Sequence, residues 1–239
     1  QEDELAYYFN LSELRETAPE GDENVDWSYI EAAVKTADLQ EMREEIAEVK
    51  RIYGTDDKKI ATQVKKYVKE YDPMVQEAAS AYGNGDIAGA EATARVLASK
   101  YDLDVWDAMS MIRTSATYID EDGNVKNYSS ASTSAIPGTN YIRKDLVLAI
   151  ENGDNAMVQK IRAEIAAGLA SKSEKDTDKE KLDDAYSQIR STLTSAFKDR
   201  YVNGDEATRQ EIYNKLKNSN CYNKEHSLDK IIKGWLKDK

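Results

Sequence analysis

The sequence predicts an all-α fold, a multi-helix array of antiparallel helical hairpins with one small β-hairpin near residues 117–128. Three observations predict it. The tripeptide Asn-Gly-Asp recurs at Asn84-Gly85-Asp86, Asn152-Gly153-Asp154 and Asn203-Gly204-Asp205. Around these tripeptides apolar residues return every three or four positions, the period of one helix face. The chain is 33% charged and holds only 3 Pro in 239 residues, which suits long solvated helices.

The tripeptide is a helix-to-helix corner. Glycine can take the left-handed conformation that ends a helix without a Cβ penalty, and the aspartate after it can accept from the free N–H groups that open the next. Aligned on their glycines, the copies share Tyr82, Ile150 and Tyr201 three residues before, and Ala78, Leu146 and Phe197 seven before. They share Ala88, Ala156 and Ala207 three after, Thr93, Ile161 and Ile212 eight after, and Leu97, Ile165 and Leu216 twelve after. These offsets keep to one face on each side, so one helical hairpin is used three times. The spacings of 68 and 51 residues do not match a regular solenoid. Internal duplication and independent reuse of good corner grammar both account for the pattern.

In chain order, Glu4–Thr17 suits a helix with Leu5, Tyr8, Phe9, Leu11 and Leu14 as its apolar set, broken over Pro19–Asn24. Asp26 or Ser28 can cap the next, which carries Trp27, Ile30, Val34 and Ala37. Asp38 caps the cleanest amphipathic helix, with Leu39, Met42, Ile46, Val49, Ile52 and Tyr53 inside. Its charged face of Glu41, Arg43, Glu44, Glu45, Glu48, Lys50 and Arg51 reads as solvated, and Gly54 stops it. Ile60, Val64, Tyr67, Val68 and Tyr71 mark the following helix, and Pro73 suits the first turn of another after Asp72. Beyond the first corner come helices over Ile87–Lys100 and Leu103 to about Thr117.

Residues 118–128 place β-prone residues on both sides of Asp122-Gly123, the signature of a hairpin. Ser129–Asn140, small, polar and punctuated by Pro137-Gly138, is a linker or a long surface loop. The predicted organisation is an acidic N-terminal helical lobe over 1–128, the linker over 129–140 and a C-terminal helical lobe over 141–239. In the last lobe, helices resume at Tyr141, run through the second corner to about Ala170, continue through Leu182, Tyr186, Ile189, Leu193, Ala196 and Phe197, and cover Arg209–Lys217. Ser227 caps a final helix with Leu228, Ile231, Ile232, Trp235 and Leu236 on one face.

Composition excludes several classes. A net charge of −12 argues against direct nucleic-acid binding, which needs a basic face to release counterions. The acid is uneven: residues 1–26 carry nine Asp or Glu against Arg15 alone, whereas 171–239 hold fifteen Lys or Arg against thirteen acids. No apolar run reaches membrane-spanning length. Cys221 is the one cysteine, so neither an internal disulfide nor a thiolate metal cluster is expected. His226, the one histidine, lies five residues beyond it, but the polar stretch around both offers no orienting partner for a nucleophile and base. The Asp120-Glu121-Asp122 cluster invites a calcium reading, yet an EF-hand counted from Asp120 would place Val125 and Ala131 where glycine and glutamate belong. Familiar phosphate-binding, nucleophile-elbow and zinc-peptidase signatures are missing, and no cofactor, metal or enzymatic activity is expected.

Ile189-Arg190-Ser191-Thr192-Leu193-Thr194, then Phe197-Lys198, Tyr201, Ile212, Leu216, Tyr222 and Trp235-Leu236-Lys237, resemble the closing segment of large tailed-bacteriophage polyvalent or internal virion proteins. The resemblance covers about 50 residues, and Ile112-Arg113-Thr114-Ser115-Ala116-Thr117 echoes its first phrase. It implies a non-enzymatic structural or interaction protein, internal to the virion, carried as cargo or ejected. Its partners would be other virion proteins or itself, and its place the particle or the host cytoplasm after infection. Tyr201, Tyr222, Trp235, Lys233 and Lys237 are the expected contact residues. The alternative is a soluble phage effector that binds a basic host protein through its acidic surface.

Overall fold

The computed structural model describes residues 27–36, 38–54, 57–120, 122–128, 135–170, 178–222 and 227–237. Among them are eleven helices: α1 (Ser28–Thr36), α2 (Leu39–Tyr53), α3 (Asp57–Tyr71), α4 (Pro73–Gly83), α5 (Ile87–Tyr101), α6 (Val105–Ser115), α7 (Arg143–Glu151), α8 (Asn155–Ala170), α9 (Asp178–Asn203), α10 (Glu206–Ser219) and α11 (Leu228–Lys237). The described strands are β1 (Thr117–Ile119) and β2 (Val125–Asn127), paired antiparallel with Tyr118 opposite Lys126. The fold is thus all-α with one small β-hairpin. The expected helix at Glu4–Thr17 lies outside the described residues.

The chain divides into two compact units. One holds the described residues of Gln1–Ser80 with Glu91–Ala116, the other Ala81–Ala90 with the described residues of Thr117–Lys239. The corner between α4 and α5 therefore belongs to the second unit and most of both helices to the first.

In the first unit α1 packs against α2 and α3, and α3 against α6. Ile30, Val34, Met42, Val49, Ile60, Val64, Val68 and Ile112 fill its interior. Helix α1 begins at Ser28 itself, so Ser28 is its first helical residue and not its cap. Helix α2 opens on Asp38, whose Oδ1 accepts from Glu41 N at 3.0 Å, and ends on Gly54 at φ 59. One member of its expected solvated face is misplaced by the linear reading: Glu45 is only 4% exposed. Burial, then the neighbouring Glu48, pushes its carboxyl up to about 7. At the head of α4, Asp72 Oδ1 accepts from Met74 N at 2.9 Å across Pro73, which has no N–H to satisfy. The other oxygen of Asp72 takes the Tyr101 hydroxyl at 2.5 Å and Lys100 Nζ at 2.9 Å, tying the start of α4 to the end of α5.

In the second unit α7 and α8 fold back on each other, α9 packs on α7, α8, α10 and α11, and α10 touches α7 and α8. Its interior includes Leu146, Ile150, Val158, Ile161, Ile189, Leu193, Phe197, Ile212 and Leu216. The fully buried carboxylate of Asp145 accepts from Ile142 N at 2.9 Å and from the Tyr82 hydroxyl at 2.6 Å. Tyr128 meets Tyr82 edge-on, centroids 5.0 Å apart, and so anchors the end of the β-hairpin. Residues 135–142 form a closed turn: Ala135 bridges Ile142, Gly138 takes φ 76, and Ile136, Tyr141 and Ile142 are buried. The helix expected from Tyr141 therefore starts at Arg143, because Tyr141 and Ile142 belong to that turn.

The first two corners share one geometry. Gly85 N donates to Tyr82 O and Asp86 N to Ala81 O, both at 2.9 Å. Gly153 N donates to Ile150 O at 3.1 Å and Asp154 N to Ala149 O at 2.9 Å. These are the paired bonds of a Schellman ending, with Gly85 at φ 85 and Gly153 at φ 66. The next helix is capped by Asp86 Oδ1 on Gly89 N at 2.9 Å and by Asp154 Oδ1 on Met157 N at 3.1 Å.

The third corner is built otherwise. Gly204 has no left-handed φ, which corrects the expectation that every glycine here ends its helix that way. Instead the Arg209 guanidinium donates to Tyr201 O at 2.9 Å and Val202 O at 2.8 Å, satisfying the carbonyls that end α9. Gly204 is there for space: a Cβ would lie 2.5 Å from Arg200 O and 2.8 Å from Thr208 Cγ2. Asp205 still caps α10, accepting from Thr208 N at 2.8 Å. Ala88, Ala156 and Ala207 are exposed at all three corners, so they are not part of the shared buried face.

Candidate functional site

Helices α7 and α9 leave an open groove of about 550 Å³ between them, lined by Arg143, Lys144, Val147, Leu148, Glu151, Thr192, Ser195, Ala196, Asp199 and Arg200. Arg143 and Lys144 are the first two residues of α7. The exposed N–H groups of a helix start already carry partial positive charge, so a pair of cations is an unfavourable choice there. The first turn does hold one anion, the buried Asp145, whose carboxylate accepts from Ile142 N at 2.9 Å.

Glu151, one end of α7, is held by Arg200 Nη2 at its Oε1 and by Lys215 Nζ at its Oε2, the latter at 2.9 Å. Burial raises its carboxyl pKa, but the hydrogen bonds from Lys215 and Arg200 outweigh burial and leave it below the ordinary value. Glu151 is thus an anion already shared by two cations. Lys144 stands seven residues earlier on the same helix. Its ammonium lies 5.9 Å from the Tyr118 ring centroid, and its pKa is lowered mainly by burial, against the attraction of Glu151 and with the repulsion of Arg200. Arg143 makes one long bond, Nη2 to Gln188 Oε1 at 3.4 Å, and its covered Nε finds no acceptor among the described residues. The charged groups that line the groove are three cations (Arg143, Lys144, Arg200) and two acids (Glu151, Asp199), and Lys215, which reaches Glu151 from outside, is also paired with Glu211 at 2.9 Å, so the local excess is one positive charge.

A second exposed feature is the tip of the β-hairpin. Ile119 and Val125 are direct cross-strand partners and are 72% and 70% exposed, the most exposed large apolar residues among those described. Directly opposed residues share one face of a sheet, so the two present a single apolar spot. Asp120 and Asp122 flank it. Asp120 Oδ1 is occupied by Asp122 N at 3.1 Å and Asn124 N at 2.8 Å, holding the turn, and its Oδ2 is 3.9 Å from Lys126 Nζ. The carboxylate suspected of binding calcium is therefore used in turn geometry. Among the described residues no three His, Cys, Asp or Glu side chains converge as a metal site would require.

Of the expected contact residues, Trp235 is buried. Its Nε1 donates to Thr194 Oγ1 at 3.0 Å and its ring meets Tyr201 edge-on, which docks α11 on α9 and leaves no face for a partner. Tyr201 and Tyr222 are half-buried, with the Tyr222 hydroxyl on Lys217 O at 3.3 Å. Lys233 and Lys237 are exposed on α11, beside Leu236 at 43% exposure. Cys221 is buried and accepts from Ser219 Oγ at 3.0 Å, and burial pushes its thiol up, away from a reactive thiolate. His226 lies outside the described residues. The groove itself was missed in the sequence, although the cation pair opening α7 was a visible sign of it.

Comparison with protein-family models, with curated proteins and with solved structures gives no match to this chain. Among the described residues no helix is long and apolar enough to cross a membrane.

Proposed function

We propose that the chain is a non-enzymatic helical interaction protein of a tailed-bacteriophage particle, and that its partner at the hairpin tip is a second copy of itself. The observation that carries the self-association is the exposed Ile119–Val125 pair beside Asp120 and Asp122. The same chain offers the complement on α11, where exposed Leu236 sits among Lys230, Lys233 and Lys237. Apolar meets apolar and acid meets base when the tip of one copy lies on the final helix of another. Such a contact joins unlike surfaces, so it can propagate along a series of copies. The virion assignment rests on the likeness of residues 189–237 to the closing segment of internal virion proteins.

Both parts are testable. The apolar spot is far smaller than a standard interface, so association should be weak, roughly 10–100 µM, and weaker in high salt. Sedimentation equilibrium should show it in the native chain and lose it in Ile119→Lys and in Lys233→Glu/Lys237→Glu. Adding Asp122→Lys to the latter should partly restore it. A chain that stays monomeric at millimolar concentration refutes the self-association. Mass spectrometry of purified particles that finds no such polypeptide refutes the virion assignment.

A further inference from the structure

We infer that the α7–α9 groove binds a small molecule carrying a phosphoryl group beside an apolar portion. This is independent of the hairpin-tip contact and shares no residue with it. Four observations converge on it.

The first is placement. Arg143 and Lys144 open α7, where the helix field repels cations and favours an anion. The buried Asp145 carboxylate serves that start through Ile142 N, and the two cations line the groove beside it.

The second is supply of donors. Lys144 makes no ion pair within the groove, and Arg143 has a buried Nε without an acceptor among the described residues. The lone groove bond of Arg143, to Gln188 at 3.4 Å, is long for a guanidinium. Ser195 adds an exposed hydroxyl on the facing helix. An anion with several oxygens accepts from all three, and a tetrahedral phosphoryl group has enough of them.

The third is charge. Glu151 is taken up by Arg200 and Lys215, which leaves Arg143 and Lys144 against Asp199 as the remaining charges of the groove lining. In a chain of net charge −12, a groove with a positive charge in excess is a local reversal of sign.

The fourth is shape. Val147, Leu148 and Ala196 give the groove an apolar wall, and about 550 Å³ is within the usual size of small-ligand sites. No aromatic side chain lines it, so stacking on a nucleobase is not the mode of binding. The apolar part of the ligand is therefore aliphatic or a small ring that packs against Val147 and Leu148.

The probe is phenyl phosphate, titrated into the full chain at fixed ionic strength and followed by the methyl resonances of Val147, Leu148 and Ala196. Saturable shifts of these methyls in the native protein are expected. Lys144→Gln should weaken binding roughly tenfold or more, as loss of a charge-assisted contact does, while Lys144→Arg retains most of it. Phenylacetate, with the same ring but a planar anion of two oxygens in place of three, should bind at least several-fold more weakly. The methyl readout in the native chain needs no variant, so misfolding of Lys144→Gln would not remove the test. Absence of saturable shifts with phenyl phosphate overturns the inference. So does equal binding by Lys144→Gln, and equal binding of phenylacetate overturns the phosphoryl assignment.

Discussion

The three corner glycines look alike in sequence but sit in their structures for different reasons, and alanine and asparagine substitutions should separate them. At Gly153, φ is 66 and an added Cβ meets nothing within 4 Å, so Gly153→Ala costs only the left-handed backbone, about 1 kcal/mol. At Gly85, φ is 85 and the Cβ would fall 2.0 Å from Asn152 Nδ2, which donates to Leu148 O at 2.8 Å. Gly85→Ala must also displace that side chain and its hydrogen bond, for roughly 2–3 kcal/mol in all. Removing the obstruction with Asn152→Ala should recover about 1 kcal/mol of coupling. At Gly204 the backbone is ordinary but the Cβ would press on a main-chain oxygen at 2.5 Å, so Gly204→Ala costs roughly 2–3 kcal/mol by overpacking. Asparagine tolerates the left-handed region, so Gly153→Asn should be milder than Gly153→Ala, whereas Gly204→Asn should be no milder than Gly204→Ala. Urea unfolding read at the Trp235 indole resonance reports the second unit, which holds all three glycines. Equal costs at the three sites, or relief by asparagine at Gly204, would refute this account.

Four further outcomes follow from buried polar groups. Glu45 has a folded pKa of about 7 against an ordinary 4.5, so the folded state holds the proton more tightly. Its stabilising share is whole below pH 4.5 and lost as pH rises through 7, a change of roughly 3 kcal/mol; Glu45→Gln should flatten that part of the stability profile and raise stability at pH 8. Asp72 behaves oppositely: burial raises its pKa, but bonds from Tyr101, Lys100 and Met74 N lower it further, so its share is present above its ordinary 3.8 and lost as pH falls through the lower folded value. Asp72→Ala should cost roughly 3–5 kcal/mol at pH 7 by leaving Tyr101 and Lys100 without their acceptor, measurable by urea unfolding. Trp235→Ala should cost roughly 3–5 kcal/mol and release α11 to rapid amide exchange, while Thr194→Val, which leaves the buried indole N–H unpaired, should cost only about 1–3 kcal/mol.

What could be read from the sequence was local. Asp38, Pro73, Gly54 and Ser227 act within one turn of their own positions, and each is found at a helix end, with Lys230 N on Ser227 Oγ at 3.3 Å in the last case. The hairpin around Asp122-Gly123 is equally local, with Gly123 at φ 80. What could not be read depends on residues distant in the chain. Glu45 sits in a run of charged residues and its burial comes from packing that no window of α2 contains. Gly204 looks like Gly85 until Arg209 is seen supplying the carbonyl bonds that a left-handed glycine would have freed the backbone to make. The groove joins residues 143–151 to 192–200, and Glu151 reaches Lys215, 64 positions on, so its electrostatics had no linear signature beyond the two cations opening α7.

The same distinction bears on whether the corners descend from one another. Every bond shared by the first two corners is one that a Schellman ending followed by an aspartate cap requires, so their likeness is no more than the local rule predicts. Descent would need agreement in features the rule does not dictate. The echo between Ile112–Thr117 and Ile189–Thr194 offers such a comparison, and its members are used differently. Arg113 is buried under the Trp106 ring at 5.4 Å near the end of α6, whereas Arg190 is exposed in the body of α9. Thr114 and Thr192 both return their hydroxyls to the preceding turn, to Ser110 O and Gln188 O, but any helical threonine can do so. With the third corner closed by an arginine in place of a left-handed glycine, repeated corner grammar accounts for the pattern without a common ancestor.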